Sequence, residues 1–383
     1  MEFDLVVVGG GPAGLAAVLA ASKDTCEVLV TEKKRTFGDP VVCGEFVPSE
    51  TEVNRLLPQA TGLDEFYRFI KPKTVANKTR FIRLNAPNMS RYEFEFDGIV
   101  LDKSHFNAEL AREAERRGIR TLVSTNVRQV KEKDNCVEIL ANVRGVLHSI
   151  TGRFAIGADG FPSIVARSLA LKTGYSAWDS VLCFNALMER VDSDMDTIEL
   201  YVGKDVAPRG YAWIIPKGEG VANVGLGVPL CNIDRKHVFV DYVRRLLEGP
   251  EMNSKLSKAR IVTQSFKIVP AGGLVEEVCT SKVLLAGDAA GAVIPVNGSG
   301  IPTALVSGSI AGACVARSLE NGHSVESYRR LLESQLSIPI RRGLRRRRIA
   351  DAVMRSDLVF NILVRLLGSP IVERTLRNEG RLF

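Results

Sequence analysis

Residues 4–32 read DLVVVGGGPAGLAAVLAASKDTCEVLVTE, and their pattern of apolar runs and glycines indicates the fold class. Residues 4–8 form an apolar run typical of a buried parallel strand, and residues 13–23, rich in Ala and Leu, predict a helix. A second apolar run at 27–31 predicts the next strand. The order of strand, glycine-rich turn, helix and strand predicts a βαβ unit at the start of the chain.

The turn of this unit has the spacing Gly9-x-Gly11-x-x-Gly14. In such a turn one glycine permits the tight bend, another lets the backbone approach a pyrophosphate, and the third lets the helix pack closely. The helix N-terminus then faces the phosphates. Glu32 ends the second strand, where its carboxylate would accept hydrogen bonds from ribose hydroxyls. This context predicts a dinucleotide with an ADP half, which both FAD and NAD contain.

A later segment, 283–291 (VLLAGDAAG), repeats the strand-and-turn pattern and favours FAD over NAD. Asp288 is expected to bind ribityl hydroxyls, and the glycine and amide groups after it would hold phosphate and flavin. Downstream, Pro295, Gly298 and Gly300 precede another apolar helix that opens at Ile301. Its N-terminal dipole would stabilise negative charge on the reduced flavin.

A third segment, 157–160 (GADG), is followed by Ser163 and Arg167, and with it the chain resembles the large flavoprotein class typified by p-hydroxybenzoate hydroxylase. The three motifs span most of the chain. Lys103 stands where the class often has an arginine. The resemblance implies FAD as cofactor, bound by Gly9, Gly11, Pro12, Ala13, Gly14, Glu32, Lys33, Arg35, Cys43, Gly44, Lys103, Val127, Ala158, Asp159, Gly160, Gly287, Asp288, Ala289, Gly291, Pro295, Gly298, Gly300 and Ile301.

Within that class, two segments resemble the geranylgeranyl reductase family, which saturates isoprenoid double bonds in membrane lipids, quinone tails or chlorophyll precursors. Residues 211–217 (YAWIIPK) are similar to the family's Tyr-x-Trp-x-Phe-Pro-Lys, with Ile215 in place of Phe, and residues 42–45 (VCGE) lie where the family often has a cysteine. The resemblance implies that the substrate is an isoprenoid lipid. The implied substrate-binding residues are Tyr211, Trp213, Pro216 and Lys217.

Tyr211 and Trp213 alternate along a predicted strand, so both side chains would point to the same face. They would form an aromatic wall over an apolar tunnel. The alternative is that they are ordinary core aromatics of a β lobe, because aromatic residues commonly fill such faces.

Saturation of an alkene requires a hydride on one carbon and a proton on its neighbour, and a positioned acid would help because an unactivated alkene offers no oxyanion. Cys43 and Glu45 are the candidate catalytic residues, and reduced flavin is a further proton source. In the alternative interpretation, Cys43 is a small residue beside a glycine turn and Glu45 a hydrogen-bonding loop residue.

At 383 residues, the chain is longer than one compact core usually requires. We predict an α/β fold in which a discontinuous Rossmann-type FAD-binding domain accompanies a mainly β substrate-binding domain and a C-terminal helical region. A helix is expected at 104–117, with Ser104 as its N-cap. The predicted boundaries are 1–70, 100–175 and 269–322 for the FAD-binding domain, 71–99 and 176–268 for the β lobe, and 323–383 for the helical region.

The formal net charge is +7, and six arginines fall within eight residues at 341–348. Apolar residues at helical spacing follow, which predicts either a basic amphipathic helix on an anionic membrane or a solvated helix packed on its own domain. Nucleic acid is disfavoured because no aromatic-basic interleaving accompanies the run. Seven scattered cysteines without C-x-x-C spacing argue against a disulfide framework, zinc or an iron–sulfur cluster, so no metal is expected and a reducing, cytoplasmic setting is favoured. The basic amphipathic stretch adds the expectation of a peripheral position on the membrane.

The chain has no second Gly-x-Gly-x-x-Gly segment, so an external electron donor is expected, either NADPH or a small redox protein. A flavin-dependent reductase of polyprenyl chains is the preferred function. The alternatives are an aromatic monooxygenase using NADPH and oxygen, a flavin halogenase, whose family carries Trp-x-Trp-x-Ile-Pro, and a non-catalytic flavin-binding protein on membranes.

Overall fold

The computed structural model of the chain describes residues 1–22, 26–39, 41, 43–234 and 238–380, except for the side chain of residue 251. The end of the predicted helix at residue 23 and the first residue of the segment 42–45 lie outside this set. Two β-sheets and a group of C-terminal helices make up the fold. The predicted α/β class is therefore confirmed.

The first sheet has the order β6-β2-β1-β9-β8-β7, with β15 also paired to β9. Its strands are β1 (Glu2–Val8), β2 (Val28–Thr31), β6 (Arg120–Leu122), β7 (Thr125–Glu132), β8 (Val137–Val143), β9 (Val146–Gly157) and β15 (Val283–Leu285). The strands β6, β2, β1 and β15 are parallel to their neighbours, and β7 and β8 are antiparallel. Residues 5–7 of β1 are fully buried, as their unbroken apolar run predicts for a central parallel strand.

The second sheet has eight strands in the order β14-β10-β13-β12-β11-β4-β5-β3. They are β3 (Phe46–Pro48), β4 (Val75–Asn85), β5 (Arg91–Leu101), β10 (Ser180–Glu189), β11 (Thr197–Gly203), β12 (Ala207–Gly218), β13 (Val221–Pro229) and β14 (Arg260–Pro270). Pairing is antiparallel except between β4 and β11. The strand predicted at 91–100 is confirmed as β5, and its alternating burial matches the alternating sequence.

Eleven helices longer than one turn lie among the described residues. They are α1 (Pro12–Ala21), α2 (Glu50–Leu56), α3 (Leu63–Tyr67), α4 (Lys103–Arg116), α5 (Ile164–Ser168), α6 (Phe239–Glu248), α7 (Pro250–Leu256), α8 (Ile301–Asn321), α9 (Ser327–Val353), α10 (Asp357–Leu367) and α11 (Ser369–Leu376). The last three confirm the predicted helical C-terminal region. None of the helices in the described ranges combines the length and apolarity needed to cross a membrane.

The N-cap predicted for α4 is wrong. Asp102, not Ser104, caps the helix, because its carboxylate accepts a hydrogen bond from the backbone N–H of His105 at 3.0 Å. Asp102 has an extended backbone, as an N-cap residue requires, whereas Ser104 already lies inside the helix.

Helices α1 and α8 pack with their backbones in close contact. A Cβ atom on Gly308 would lie 2.0 Å from the carbonyl oxygen of Ala13, and one on Gly312 would lie 2.0 Å from that of Ala17. Only glycine permits this approach at either position. The contact joins the helix that follows the first glycine-rich turn to the helix that follows residues 295–300.

The arginine run at 341–348 is only partly a solvated surface. Arg346 and Arg347 are 3% and 8% exposed, and each donates hydrogen bonds to backbone carbonyls. Arg346 bonds Arg374 and Gly380, and Arg347 bonds Ala271 and Trp178. These two arginines fasten α9 to the rest of the molecule, so the basic surface consists of the other four: Arg341, Arg342, Arg345 and Arg348.

Candidate active site

A cavity of about 820 Å³ lies between the two sheets and the C-terminal helices. The three predicted flavin segments line one part of it, and strands of the second sheet with α10 and α11 line another. Its size is in the range of cofactor and ligand sites in proteins. The residues predicted to bind cofactor and those predicted to bind substrate therefore share one space.

The first glycine-rich turn has the geometry of a phosphate-binding turn. Gly9 has a φ of +107°, and a Cβ atom on Gly14 would lie 1.8 Å from the carbonyl oxygen of Gly9, so both positions require glycine. By contrast, a Cβ atom on Gly11 would meet no atom within 4 Å and would extend into open space. That open space leaves room for a pyrophosphate to approach the backbone, so this turn fits an ADP half.

Glu32 directly follows β2 and fixes the shape of the turn. Its carboxylate accepts hydrogen bonds from the backbone N–H groups of Gly10 and Lys34, each at 2.9 Å. The side chain is 7% exposed and lines the cavity. The carboxylate still has unused lone pairs, which is what binding of ribose hydroxyls requires.

Asp159, in the middle segment, uses both carboxylate oxygens within the protein. One accepts from the hydroxyl of Ser163 at 2.8 Å, and the other from the backbone N–H of Ile164 at 2.6 Å. Burial raises the pKa of Asp159, and these hydrogen bonds act in the opposite direction. The carboxylate therefore stabilises the start of α5 and the turn before it, while residues 158–160 line the cavity.

Asp288 lies opposite a lysine that sequence reasoning missed. The ammonium group of Lys267, on β14, is 2.6 Å from a carboxylate oxygen of Asp288, and both residues line the cavity. Burial acts to lower the pKa of Lys267, but the Asp288 carboxylate raises it above its ordinary value. The lysine thus places a positive charge, paired with Asp288, at the junction of the flavin segments and the second sheet.

Most predicted cofactor residues line the cavity, and a few lie behind it. Those that do not reach its surface are Gly14, Arg35, Ala289 and Gly291, and among the predicted substrate residues Pro216 and Lys217 also do not. Gly291 has a positive φ of +69° and packs against Tyr175 and Gly273, so its role is in the turn itself. Gly14 likewise serves helix packing.

The loop at 43–45 is tied to the motif at 211–217 by a buried hydrogen-bond network. Lys217 donates to a carboxylate oxygen of Glu45 at 2.5 Å, and the backbone N–H of Lys103 donates to the other at 3.2 Å. Glu45 is 3% exposed and has a positive φ of +63°. This carboxylate is fully engaged, so its geometry suits holding the loop better than donating a proton.

Asn223, on β13, is the centre of this network and was missed by sequence reasoning. Its side-chain oxygen accepts from the indole N–H of Trp213 at 2.8 Å, and its amide N–H₂ donates to the carbonyl of Cys43 at 2.9 Å. The amide also lies 3.4 Å from Glu45. Trp213 is thereby linked through one side chain to the backbone of the cysteine loop.

Tyr211 and Trp213 lie on the same face of β12, as their alternation predicts, and both line the cavity. Their ring centroids are 6.0 Å apart, and the Tyr211 hydroxyl donates to the carbonyl of Asn297 at 3.1 Å. The aromatic pair therefore adjoins the loop before α8. Cys43 lines the same cavity, and its sulfur accepts a hydrogen bond from the backbone N–H of Glu45 at 3.3 Å.

The rest of the cavity is an apolar compartment that sequence reasoning did not locate. One wall is the second sheet, with Ile82, Phe96, Ile198 and Leu200, and the other wall comprises α10 and α11. The signal for the second wall was present in α10, whose polar residues Asp357, Asn361 and Arg365 fall on a single stripe, so that apolar residues cover most of its surface. An apolar surface that wide extends beyond one buried face.

Comparisons with known proteins agree with this geometry. Residues 179–268 match the model of the geranylgeranyl reductase catalytic domain, and residues 4–170 match that of the FAD dependent oxidoreductases. A digeranylgeranylglycerophospholipid reductase of Methanothrix thermoacetophila is 33% identical over 84% of this chain and 80% of the relative.

Solved structures give the same result. A geranylgeranyl bacteriochlorophyll reductase-like protein from Thermoplasma acidophilum superimposes with a TM-score of 0.83 at 26% identity, over 98% of this chain and 91% of that one. A flavin-dependent halogenase, CmlS, superimposes with a TM-score of 0.66 over 91% of this chain and 63% of the halogenase. Its 21% identity shows a shared fold alone. The cofactor is FAD, and the chain belongs to the geranylgeranyl reductase family of FAD-dependent oxidoreductases.

Proposed function

We propose that the chain saturates carbon–carbon double bonds in the prenyl chains of a glycerophospholipid. The observation that carries this proposal is the continuous cavity, in which the flavin segments open directly into an apolar compartment. The relatives named digeranylgeranylglycerophospholipid reductase support the lipid class. An aromatic monooxygenase would share the three flavin segments, but residues 179–268 match the geranylgeranyl reductase catalytic domain.

Each double bond takes up one hydride and one proton, and reduced FAD supplies the hydride when it is bound. The protein's own contribution is to exclude water, hold the alkene against the cofactor and deliver the proton. The apolar walls formed by the second sheet and by α10 and α11 suit the first two tasks, because a prenyl chain gains free energy by leaving water.

We assign proton delivery to Cys43. Its thiol lines the cavity, and the backbone N–H of Glu45 donates to its sulfur, a contact that stabilises the thiolate left when the proton moves to the alkene carbon. Lys267 lines the same cavity and supplies a positive charge there, paired with Asp288. Glu45, held by Lys217 and Asn223, positions the loop.

The proposal also includes a membrane contact through α10. Its outer face exposes Leu358, Ile362 and Leu366 at 68%, 49% and 75%, while its inner face lines the cavity. Exposed apolar side chains in a row on one helix are typical of a surface that enters the lipid interface. Exposed Arg355 and Arg365 lie just before and within this helix, where they would meet anionic headgroups. The electron donor, NADPH or a small redox protein, reaches the flavin from outside the chain.

The test is mass spectrometry of a geranylgeranyl glycerophospholipid incubated anaerobically with the FAD-loaded, dithionite-reduced protein. We expect mass gains in steps of two hydrogens. Cys43→Ala should retain FAD and its reduction but slow these gains, whereas Cys136→Ala, in a different part of the chain, should not. No mass gain, together with hydroxylation of an aromatic compound by NADPH and oxygen, would replace the proposal with the monooxygenase.

A further inference from the structure

A cluster of polar side chains lies at one end of the cavity, between the start of β12 and the last turns of α9. Arg209 and Asp351 both line the cavity there. The guanidinium of Arg209 lies over the indole ring of Trp178, 4.7 Å from its centroid. The start of α10 is at the same end, because the backbone N–H of Lys204, in the turn before β12, donates to Asp357 at 3.0 Å.

Two arginines near this end, Arg347 and Arg209, differ in their hydrogen bonds. Arg347 donates to the carbonyls of Ala271 and Trp178 and is therefore part of the scaffold. The guanidinium of Arg209 stacks on Trp178, and across the described ranges it donates no hydrogen bond to a protein acceptor. Its backbone has a φ of +55°, an unfavourable conformation for a residue with a side chain. A guanidinium that stacks on an aromatic ring and keeps its donors free at a cavity wall is suited to bidentate binding of a phosphate.

Asp351, on α9, is the second polar residue at this end of the cavity, and one of its oxygens is unsatisfied. Its side chain is 16% exposed, and one oxygen lies 3.6 Å from Arg347, while the other has no hydrogen-bond partner in the part of the chain that is described. Burial raises the pKa of Asp351, and the positive charges of Arg347, Arg209 and Arg355 act against that rise. A buried oxygen without a partner costs free energy, which a ligand hydroxyl would recover.

We propose that Arg209, stacked on Trp178, binds the phosphate of the substrate lipid's headgroup, and that Asp351 accepts a hydrogen bond from a headgroup hydroxyl. The choice of a lipid phosphate as the ligand of this site rests on the proposed function. It places the headgroup at the polar end of the cavity, next to α10, while the prenyl chains extend into the apolar compartment. The enzyme would then select phosphorylated lipids by their headgroup as well as by their chains.

The test is calorimetric titration of the FAD-loaded full chain with a short-chain diprenyl glycerophospholipid and with the same lipid lacking its phosphate. We expect Arg209→Gln to weaken binding of the phosphorylated lipid by about tenfold or more, because a charge-assisted contact is lost. Binding of the dephosphorylated lipid should change by less than about twofold. Arg209→Lys should fall between, because it keeps the charge and loses the planar fork. Arg348→Gln, an exposed arginine of α9 that does not line the cavity, is the matched control.

Equal weakening for both lipids, or none for either, would overturn the headgroup site. So would a result in which Arg209→Gln weakens binding of NADPH instead of lipid, because the phosphate recognised would then belong to the reductant. Binding is measured without turnover. If the phosphorylated lipid binds through Arg209 but its double bonds are not reduced, the headgroup site stands and the proposed activity fails.

Discussion

Replacement of Asn223 by Ala tests the network that connects Trp213 to the cysteine loop. The substitution removes the hydrogen bonds of 2.8 Å to the indole N–H and 2.9 Å to the Cys43 carbonyl, together with the longer contact to Glu45. Two buried hydrogen bonds contribute about 1 kcal/mol each, and the indole N–H left without a partner adds roughly 1–2 kcal/mol. We expect the free energy of unfolding to fall by about 3–4 kcal/mol.

Chemical denaturation measures this loss in the free energy of unfolding, and Asn185→Ala is the matched control. Asn185 lies on β10 of the same sheet and is also buried, but its side-chain oxygen has no hydrogen-bond partner in the described structure. Its replacement should cost less than about 1 kcal/mol, since no hydrogen bond to that oxygen is lost. Equal losses for the two variants would refute the assignment of Asn223 as the centre of the network.

The reactivity of Cys43 provides a second readout that packing alone would not change. In Asn223→Ala the carbonyl of Cys43 loses its donor, so the loop should become more mobile and the thiol should react faster with a maleimide. Asn223→Asp separates the two halves of the network. An aspartate still accepts from Trp213 but donates nothing to Cys43, and it places a second carboxylate beside Glu45. Thiol reactivity unchanged in both variants would show that Asn223 does not position the loop.

Three further predictions address the cofactor, the helix contact and the membrane. Gly11→Val should lower FAD occupancy of the purified protein, measured by absorbance, because its side chain would enter the open space that the pyrophosphate needs; full occupancy would contradict that placement. Gly308→Ala should lower the free energy of unfolding by about 1–3 kcal/mol, since its Cβ would lie 2.0 Å from the Ala13 carbonyl oxygen, and an unchanged melting temperature would argue against the close contact. Leu358→Asp with Leu366→Asp should reduce flotation with anionic vesicles while FAD occupancy stays constant, and undiminished flotation would exclude α10 as the membrane contact.

The sequence predicted those parts of the site that depend on local backbone geometry. Gly9 and Gly14 could be identified because a tight turn and a close helix contact each require glycine at a fixed spacing. The alternation of Tyr211 and Trp213 likewise sufficed to place both rings on one face of a strand. In each case the residues that interact are near one another in the chain or share a simple period.

The remaining parts depend on contacts between distant segments. Asn223 meets Cys43 across 180 residues, and Lys267 meets Asp288 through the placement of one sheet against the other. No local pattern marks such a residue. The arginine run has a local pattern that predicts an exposed basic surface. That pattern does not reveal that Arg346 and Arg347 are buried and donate to backbone carbonyls of distant segments.

The contact between α1 and α8 has a consequence for how this protein can diversify. Gly308 and Gly312 bring the helix after the first glycine-rich turn against the helix after residues 295–300, so this helix pair fixes the separation of two segments that are predicted to bind FAD. We therefore expect that separation to depend on the helix contact more than on the strands that line the apolar compartment. Engineering of chain-length or headgroup preference can therefore be directed at the cavity-lining residues of β4, β11 or α10, provided that this glycine pair is kept.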